Sequence, residues 1–271
     1  MSLNRNKTND AFKNPHAHSA WIDFFSGATA GFADTMLNYP PYGIKIRMQR
    51  KEIKHWKEIF TGKFYYPTKL YQGIIPAGIS IIPATIMQDG VSSIVRNYSD
   101  SGAGAACIGG LAGAPLATIM ANVIVRQQKE GLTPLAATKA IQSEGWARFF
   151  RGFVPTAKRD TIYAAGAFWG VNAIKKQMPN SHPLTQAVVA SVVTGGIVTV
   201  LSHPADTIAT MLQDSLKSQT LSEVTTGLAK TNGVRGFYAG VFFRGYSVIA
   251  GMLTVSTVSE KTKEVFTSFR P

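Results

Sequence analysis

The sequence predicts an all-α membrane protein: six transmembrane helices in a pseudo-threefold bundle, with short surface helices between odd and even spans. Three observations carry this expectation. A short phrase recurs as YYPTKLYQG ending at Gly73, EGWARFFRG ending at Gly152 and NGVRGFYAG ending at Gly240. Each copy has an upstream partner that ends in glutamine: NYPPYGIKIRMQ at Gln49, TIMANVIVRQQ at Gln128 and SHPADTIATMLQ at Gln213. Repetition at a spacing of about 80 residues means three copies of one structural unit. Six apolar or amphipathic stretches flank these motifs, each long enough to cross a bilayer, for which about 20 residues suffice.

The first stretch, 20–49, follows a polar tail over 1–19 that has no signal-peptide apolar core. His16 and His18 belong to this tail and read as solvated. Gly27 and Gly31 form GATAG, small residues that let neighbouring helices approach closely in lipid. Pro40 and Pro41 each remove a backbone donor and kink the stretch. KEIKHWKEIF then reads as an amphipathic segment on the membrane surface. The second stretch, 73–96, contains Pro83.

The third stretch, 102–128, carries GGLAG with Gly109, Gly110 and Gly113. Cys107 lies just before it as a packing residue, and a single cysteine excludes a disulfide framework or a cysteine-based zinc site. LAATKAIQSEG is the second surface segment. The fourth stretch, 152–177, begins near Pro155. The fifth, 183–213, contains Gly195, Gly196 and Pro204, and LSEVTTGLAK separates it from the sixth, 240–265. The repeats are therefore 20–98, 99–180 and 181–271, and six spans place both termini on one side.

The chain is 45% hydrophobic with a formal net charge of +13. Its mean hydropathy is near zero, which suits a bundle around a wet cavity. The positive charge concentrates in connectors, most of all between Lys45 and Lys69. Basic connectors between apolar stretches indicate membrane topology and contact with anionic lipid. The aromatics do not interleave with Lys or Arg along one surface, so nucleic-acid binding is not expected.

On these residues the chain resembles the mitochondrial carrier family, from about Trp21 to its end. The family motif is P-x-[DE]-x-x-[KR]-x-[KR]-x-Q, followed by [DE]-G and an aromatic-[KR]-G. EGWARFFRG matches the second half, and PADTIATMLQ and PYGIKIRMQ match the first half in part. The resemblance implies a monomeric solute carrier of the mitochondrial inner membrane. It would work by alternating access as an antiporter, without cofactor, metal or catalysis.

Departures from the motif are informative. The family's acidic positions are here Tyr42, Ala121 and Asp206, and its basic positions Lys45, Ile124 and Ala209. Ring pairing gives Lys45–Asp206, Ile124–Tyr42 and Ala209–Ala121, so two bridges have lost both partners together. Loss of both partners strands no charge. The resemblance therefore implies a thinned gate of Lys45, Asp206, Gln49, Gln128 and Gln213, in which the glutamines brace the bridge positions. Lys45→Ala alone is expected to harm more than the same change combined with Asp206→Ala. At the opposite end the acidic positions are Ser93, Asn172 and Ser259 and the basic ones Arg96, Lys175 and Thr262, with Glu260 and Lys263 one residue away. No acid–base pair remains there, which implies a weakly latched outer closure.

The family's substrate contacts fall seven residues after the repeat glycines, at Ser80, Arg159 and Ser247, with Asp160 and Arg244 close by. An Arg and an Asp at mid-depth are costly in lipid and are expected to face the cavity. Arg offers a bidentate carboxylate or phosphate site, and Asp accepts an ammonium. The pair resembles that of amino-acid and carnitine carriers, with an adenine-nucleotide carrier as the alternative. The resemblance also implies cardiolipin sites at helix N-termini. Gly73, Gly152 and Gly240 would begin even helices, and Gly145 and Gly233 surface helices. Repeat 1 has Tyr65 and Tyr66 in place of [DE]-G. Two further readings stay open: a non-transporting adaptor with the carrier fold, and an enzyme built on His203 beside Asp206, for which no partner set exists.

Overall fold

The computed structural model describes residues 15–53, 58, 71–96, 101–215 and 219–268, with side chains from Thr29 onward and gaps in the second and last long helices. Every regular element among the described residues is helical. The long helices are α1 (Pro15–Gln49), α2 (Ile74–Arg96), α3 (Gly102–Glu130), a fourth run beginning with α5, α7 (Pro183–Asp214) and α9 (Val241–Ser268). The fourth run joins α5 (Phe153–Ala164), a π-helical turn (Ala165–Gly170) and α6 (Val171–Lys176). Shorter helices α4 (Pro134–Ser143) and α8 (Leu221–Gly236) precede the fourth run and α9. They cover two of the expected surface segments; most of the first lies outside the described residues. Helix α1 begins at Pro15, inside the segment read as tail. Tyr65 and Tyr66 are also outside the described residues.

The ends of the helices follow from local chemistry. Ser101 caps α3 by accepting from Gly104 N–H, and Gly131, at φ 69°, closes it in the left-handed conformation. Thr133 caps α4 with Pro134 in its first turn. Thr220 and Glu223 form a reciprocal capping box on α8. The π-helical turn was not legible in sequence. There Gly166 and Gly170 bring the fourth run against α7 so closely that a Cβ on Gly166 would lie 2.3 Å from Val198 Cγ2.

The long helices pack in chain order, α1 on α2, α2 on α3, α3 on α5, α5 on α7 and α7 on α9, and α9 returns to α1. Helix α7 also touches both α1 and α3. Three helices among the described residues are long and apolar enough to cross a membrane: Gly102–Glu130, Pro183–Asp214 and Val241–Val258. This is fewer than the six expected spans. Among the remainder, α5 carries Lys158, Arg159 and Asp160 in sequence, which lowers its apolarity.

One strut recurs in each repeat. Tyr39 Oη donates to Gln72 O at 2.9 Å, Asn122 Nδ2 to Arg151 O at 3.0 Å, and His203 Nε2–H to Ala239 O at 2.9 Å. Each carbonyl belongs to the residue before a repeat glycine. Gly73, Gly152 and Gly240 adopt φ of 98°, 77° and 76°, a region that L side chains avoid. The strut thus fixes the start of α2, α5 and α9 against the preceding odd helix.

The small residues of α3 sit where two helices press on it. A Cβ on Gly109 would lie 2.0 Å from Ser92 Oγ and 2.5 Å from Gln88 O, whereas one on Gly196 would meet nothing within 4 Å. Gly109→Ala is expected to destabilise the protein by about 1–3 kcal/mol through overpacking. Gly196→Ala gains helix propensity of up to about 1 kcal/mol. Thermal unfolding of the two variants in detergent checks this; equal melting temperatures would refute tight α2–α3 packing.

Candidate functional site

Helices α1, α2, α3, α5 and α9 line an open cavity of about 340 Å³. Its polar walls are Asp34 and Asn38 from α1, Arg159 and Asp160 from α5, and Arg244 and Ser247 from α9. Tyr42, Ala121 and Ile124 line it as well. Four of the five substrate-contact candidates, Arg159, Asp160, Arg244 and Ser247, therefore share one cavity. The fifth, Ser80, has its side chain outside the described residues. Lys158 is exposed and does not line the cavity.

Asp206 of α7 is wholly buried and gathers four donors. Lys45 Nζ lies 2.9 Å from Oδ2 and 3.2 Å from Oδ1. Gln49 Nε2 donates to Oδ2 at 2.7 Å. Arg159 Nη1 and Arg244 Nη1 both reach Oδ1 at 3.2 Å. Arg159 also holds Asp160 Oδ1 through Nε at 2.7 Å, and Arg244 Nη2 donates to Ser202 Oγ at 3.0 Å. Lys45 Nζ sits 4.6 Å from the centre of the Tyr42 ring, a cation–π contact that offsets part of its desolvation. The arrangement joins Lys45 and Asp206 to both cavity arginines.

Three cations thus meet two carboxylates, Asp206 and Asp160, and the cluster keeps one net positive charge. Among the described residues several polar atoms around it have no hydrogen-bond partner: Arg244 Nε, Asp160 Oδ2 and Ser247 Oγ are buried and unpaired. Buried polar atoms are almost always hydrogen-bonded in folded proteins. Orphans that line a cavity are available to a polar ligand.

The other two motif pairs carry no charge. Tyr42 packs against the cluster of Ile46, Ile124 and Val125, and Ala121 and Ala209 are both buried. With no charge to brace, Gln128 Nε2 donates to Gln72 O at 3.1 Å and Gln213 Nε2 to Thr156 Oγ1 at 3.4 Å. The glutamine brace on an ion pair is therefore seen at Gln49.

One residue past each glutamine, sequence reasoning missed a second cluster. Arg50, Lys129 and Asp214 follow Gln49, Gln128 and Gln213, and they converge. Arg50 Nε lies 2.7 Å and Lys129 Nζ 3.3 Å from Asp214 Oδ1. Lys129 also donates to Asp214 O at 2.6 Å, and Arg148 and Arg151 donate to Ser215 O at 2.7 and 2.8 Å. The free carbonyls at the end of α7 are thereby met by cations, as the helix dipole favours. The signal was available as the residue following each repeated glutamine.

The five glycines proposed as anchor points all have positive φ. Gly73, Gly152 and Gly240 precede α2, α5 and α9 as expected. Gly145 instead opens a five-residue 3-10 turn, Trp146–Phe150, and Gly233 interrupts the last turn of α8. Neither begins a surface helix, because both surface helices already start at their threonine caps. His203 is fully buried and serves the Ala239 strut. At the motif positions of the opposite end, Asn172 Nδ2 donates to Phe168 O. Ser93, Arg96, Ser259, Glu260 and Lys263 have side chains outside the described residues.

The family model of the mitochondrial carrier protein matches residues 92–182 and 180–270 in tandem. Mitochondrial substrate carrier family protein Z of Dictyostelium discoideum is 25% identical over 90% of this chain and 92% of its own length. Mitochondrial glycine transporter A of Danio rerio is 25% identical over 83% and 88%. The thylakoid ADP,ATP carrier protein of Arabidopsis thaliana is 24% identical over 80% and 59%.

Proposed function

The chain belongs to the mitochondrial carrier protein family, and from that premise we propose that it carries an amino-acid- or carnitine-like zwitterion across the mitochondrial inner membrane by alternating access. The six long helices form its spans and the cavity is its substrate site. The observation that carries this reading is the basic cluster of Arg159 and Arg244 at the cavity wall, held by Asp206 and left with unpaired polar atoms. A substrate carboxylate replaces Asp206 as the partner of the two arginines. That exchange couples binding to the Lys45–Asp206 gate, since an ion pair loosened on one side shifts the balance between closures. An adenine nucleotide brings several negative charges to a cluster with one to spare, so the zwitterion is the better match. The glycines before α2, α5 and α9 present helix N-termini to cardiolipin headgroups.

The test is uptake by cardiolipin-containing liposomes holding the purified protein, with labelled amino acids, carnitine and adenine nucleotides offered separately. Saturable uptake of a zwitterion supports the reading, and saturable uptake of nucleotides alone refutes it. Failure of every solute with a folded protein favours the adaptor instead.

The Arg50–Lys129–Asp214 cluster closes the same end of the bundle as the thinned gate. Lys129 and Asp214 are partly exposed, so their pair is worth little, about 1 kcal/mol, while the Arg50 side chain beside them is buried. Asp214→Asn is expected to speed efflux into substrate-free buffer about five-fold, while exchange of substrate for substrate stays near normal. Unchanged efflux would show that this cluster does not hold the gate.

A further inference from the structure

Asp34 is the charged group in the cavity that the basic cluster does not absorb. It is half-buried on α1. It accepts a hydrogen bond from Asn38 Nδ2 at 2.5 Å and makes no ion pair with any described residue. A carboxylate at this depth is costly unless a cation or a wet cavity serves it. Space has been kept for it: a Cβ on Gly251 of α9 would lie 2.8 Å from Asp34 Oδ1.

Helices α1 and α9 run antiparallel, which sets the height of each group. Gly240 lies against the Lys45 backbone, and Gly251 lies against Asp34. Arg244 precedes Gly251 by seven residues, so at about 1.5 Å per residue its Cα lies roughly 10 Å from the level of Asp34. The cavity therefore has a basic end at Arg159 and Arg244 and an acidic point about two helical turns away.

We propose that Asp34 is the cation subsite of this cavity and that the ligand is an extended zwitterion, with its carboxylate on Arg159 and Arg244 and its ammonium, several bonds away, on Asp34. The inference rests on the reading of the cavity as the substrate site. Asp160 is the less suitable ammonium acceptor because the Arg159 guanidinium already neutralises it, whereas Asp34 is held by the uncharged Asn38 amide. An α-amino acid keeps its two charges too close to reach both ends. A dicarboxylate or nucleotide leaves Asp34 facing a like charge.

The test uses the full chain in proteoliposomes and in detergent. The probes are ω-amino acids from glycine to 8-aminooctanoate, each paired with the monocarboxylate lacking the amine. Saturable uptake of labelled 6-aminohexanoate and the shift in melting temperature are both read. The wild type is expected to prefer 6-aminohexanoate to hexanoate, and to glycine, by about tenfold, the worth of one charged hydrogen bond. Asp34→Asn is expected to erase the preference over hexanoate, whereas Arg159→Ala weakens both ligands alike. Gly251→Ala crowds Asp34 without removing it and is expected to reduce the same preference. An amine preference that survives Asp34→Asn, or glycine binding better than the longer probes, overturns the proposal. A wild type that binds hexanoate without amine preference overturns the role of Asp34 alone. Binding of no carboxylate at all overturns the cavity reading and this inference with it.

Discussion

Asp206→Ala is expected to be the most damaging single substitution in the buried cluster, at about 3–5 kcal/mol, the usual cost of leaving buried charge without its partner. The change leaves Lys45, Arg159 and Arg244 around an empty site, with Asp160 as their nearest remaining carboxylate. Lys45→Ala is milder, because Asp206 keeps both arginines and Gln49. The sequence led to the opposite expectation for the pair of changes, that Lys45→Ala with Asp206→Ala would be better tolerated than Lys45→Ala alone. That follows only if Asp206 has a single partner. With four donors on one carboxylate, the double variant still strands Arg244 and leaves Arg159 only Asp160, and it is expected to melt below Lys45→Ala. Thermal unfolding of the two single variants and the double variant decides the order. A Lys45→Ala protein that melts lowest would mean that the arginines contribute little and the pair acts alone.

Arg159→Ala is expected to lower uptake by at least about 30-fold, from loss of a desolvated charge contact worth more than about 2 kcal/mol. Folding survives, since Asp206 retains Lys45, Arg244 and Gln49, and Asp160, which loses its cation, lines the cavity. Arg159→Lys keeps the charge but not the fork. Arg159 uses Nε for Asp160 and Nη1 for Asp206, two directions that a point-charge ammonium cannot reproduce together. An intermediate loss of about tenfold is expected for lysine. Uptake kinetics beside melting curves separate transport from stability. Normal uptake by a folded Arg159→Ala protein would remove the cavity from the transport path.

Much of this was legible in the residues. The repeated phrases placed the helix starts, because only glycine adopts the backbone at Gly73, Gly152 and Gly240 at no cost. Motif counting brought Lys45 and Asp206 together across 161 positions of sequence. Asp34 was visible as an acid inside an apolar stretch and called for the argument already applied to Arg159. The π-helical turn was not visible, because it answers to Val198 and Thr194 of another helix.

The sequence by itself determined where the long helices lie, which motif charges were lost in pairs and which mid-depth charges remained. Only the tertiary structure decided how many partners each charge has. Asp206 is shared by Lys45, Gln49, Arg159 and Arg244, and Asp214 by Arg50 and Lys129. The physical reason is that motif counting pairs one residue with one, while a buried carboxylate has about four lone-pair directions and fills them with whatever donors the packed helices bring within reach.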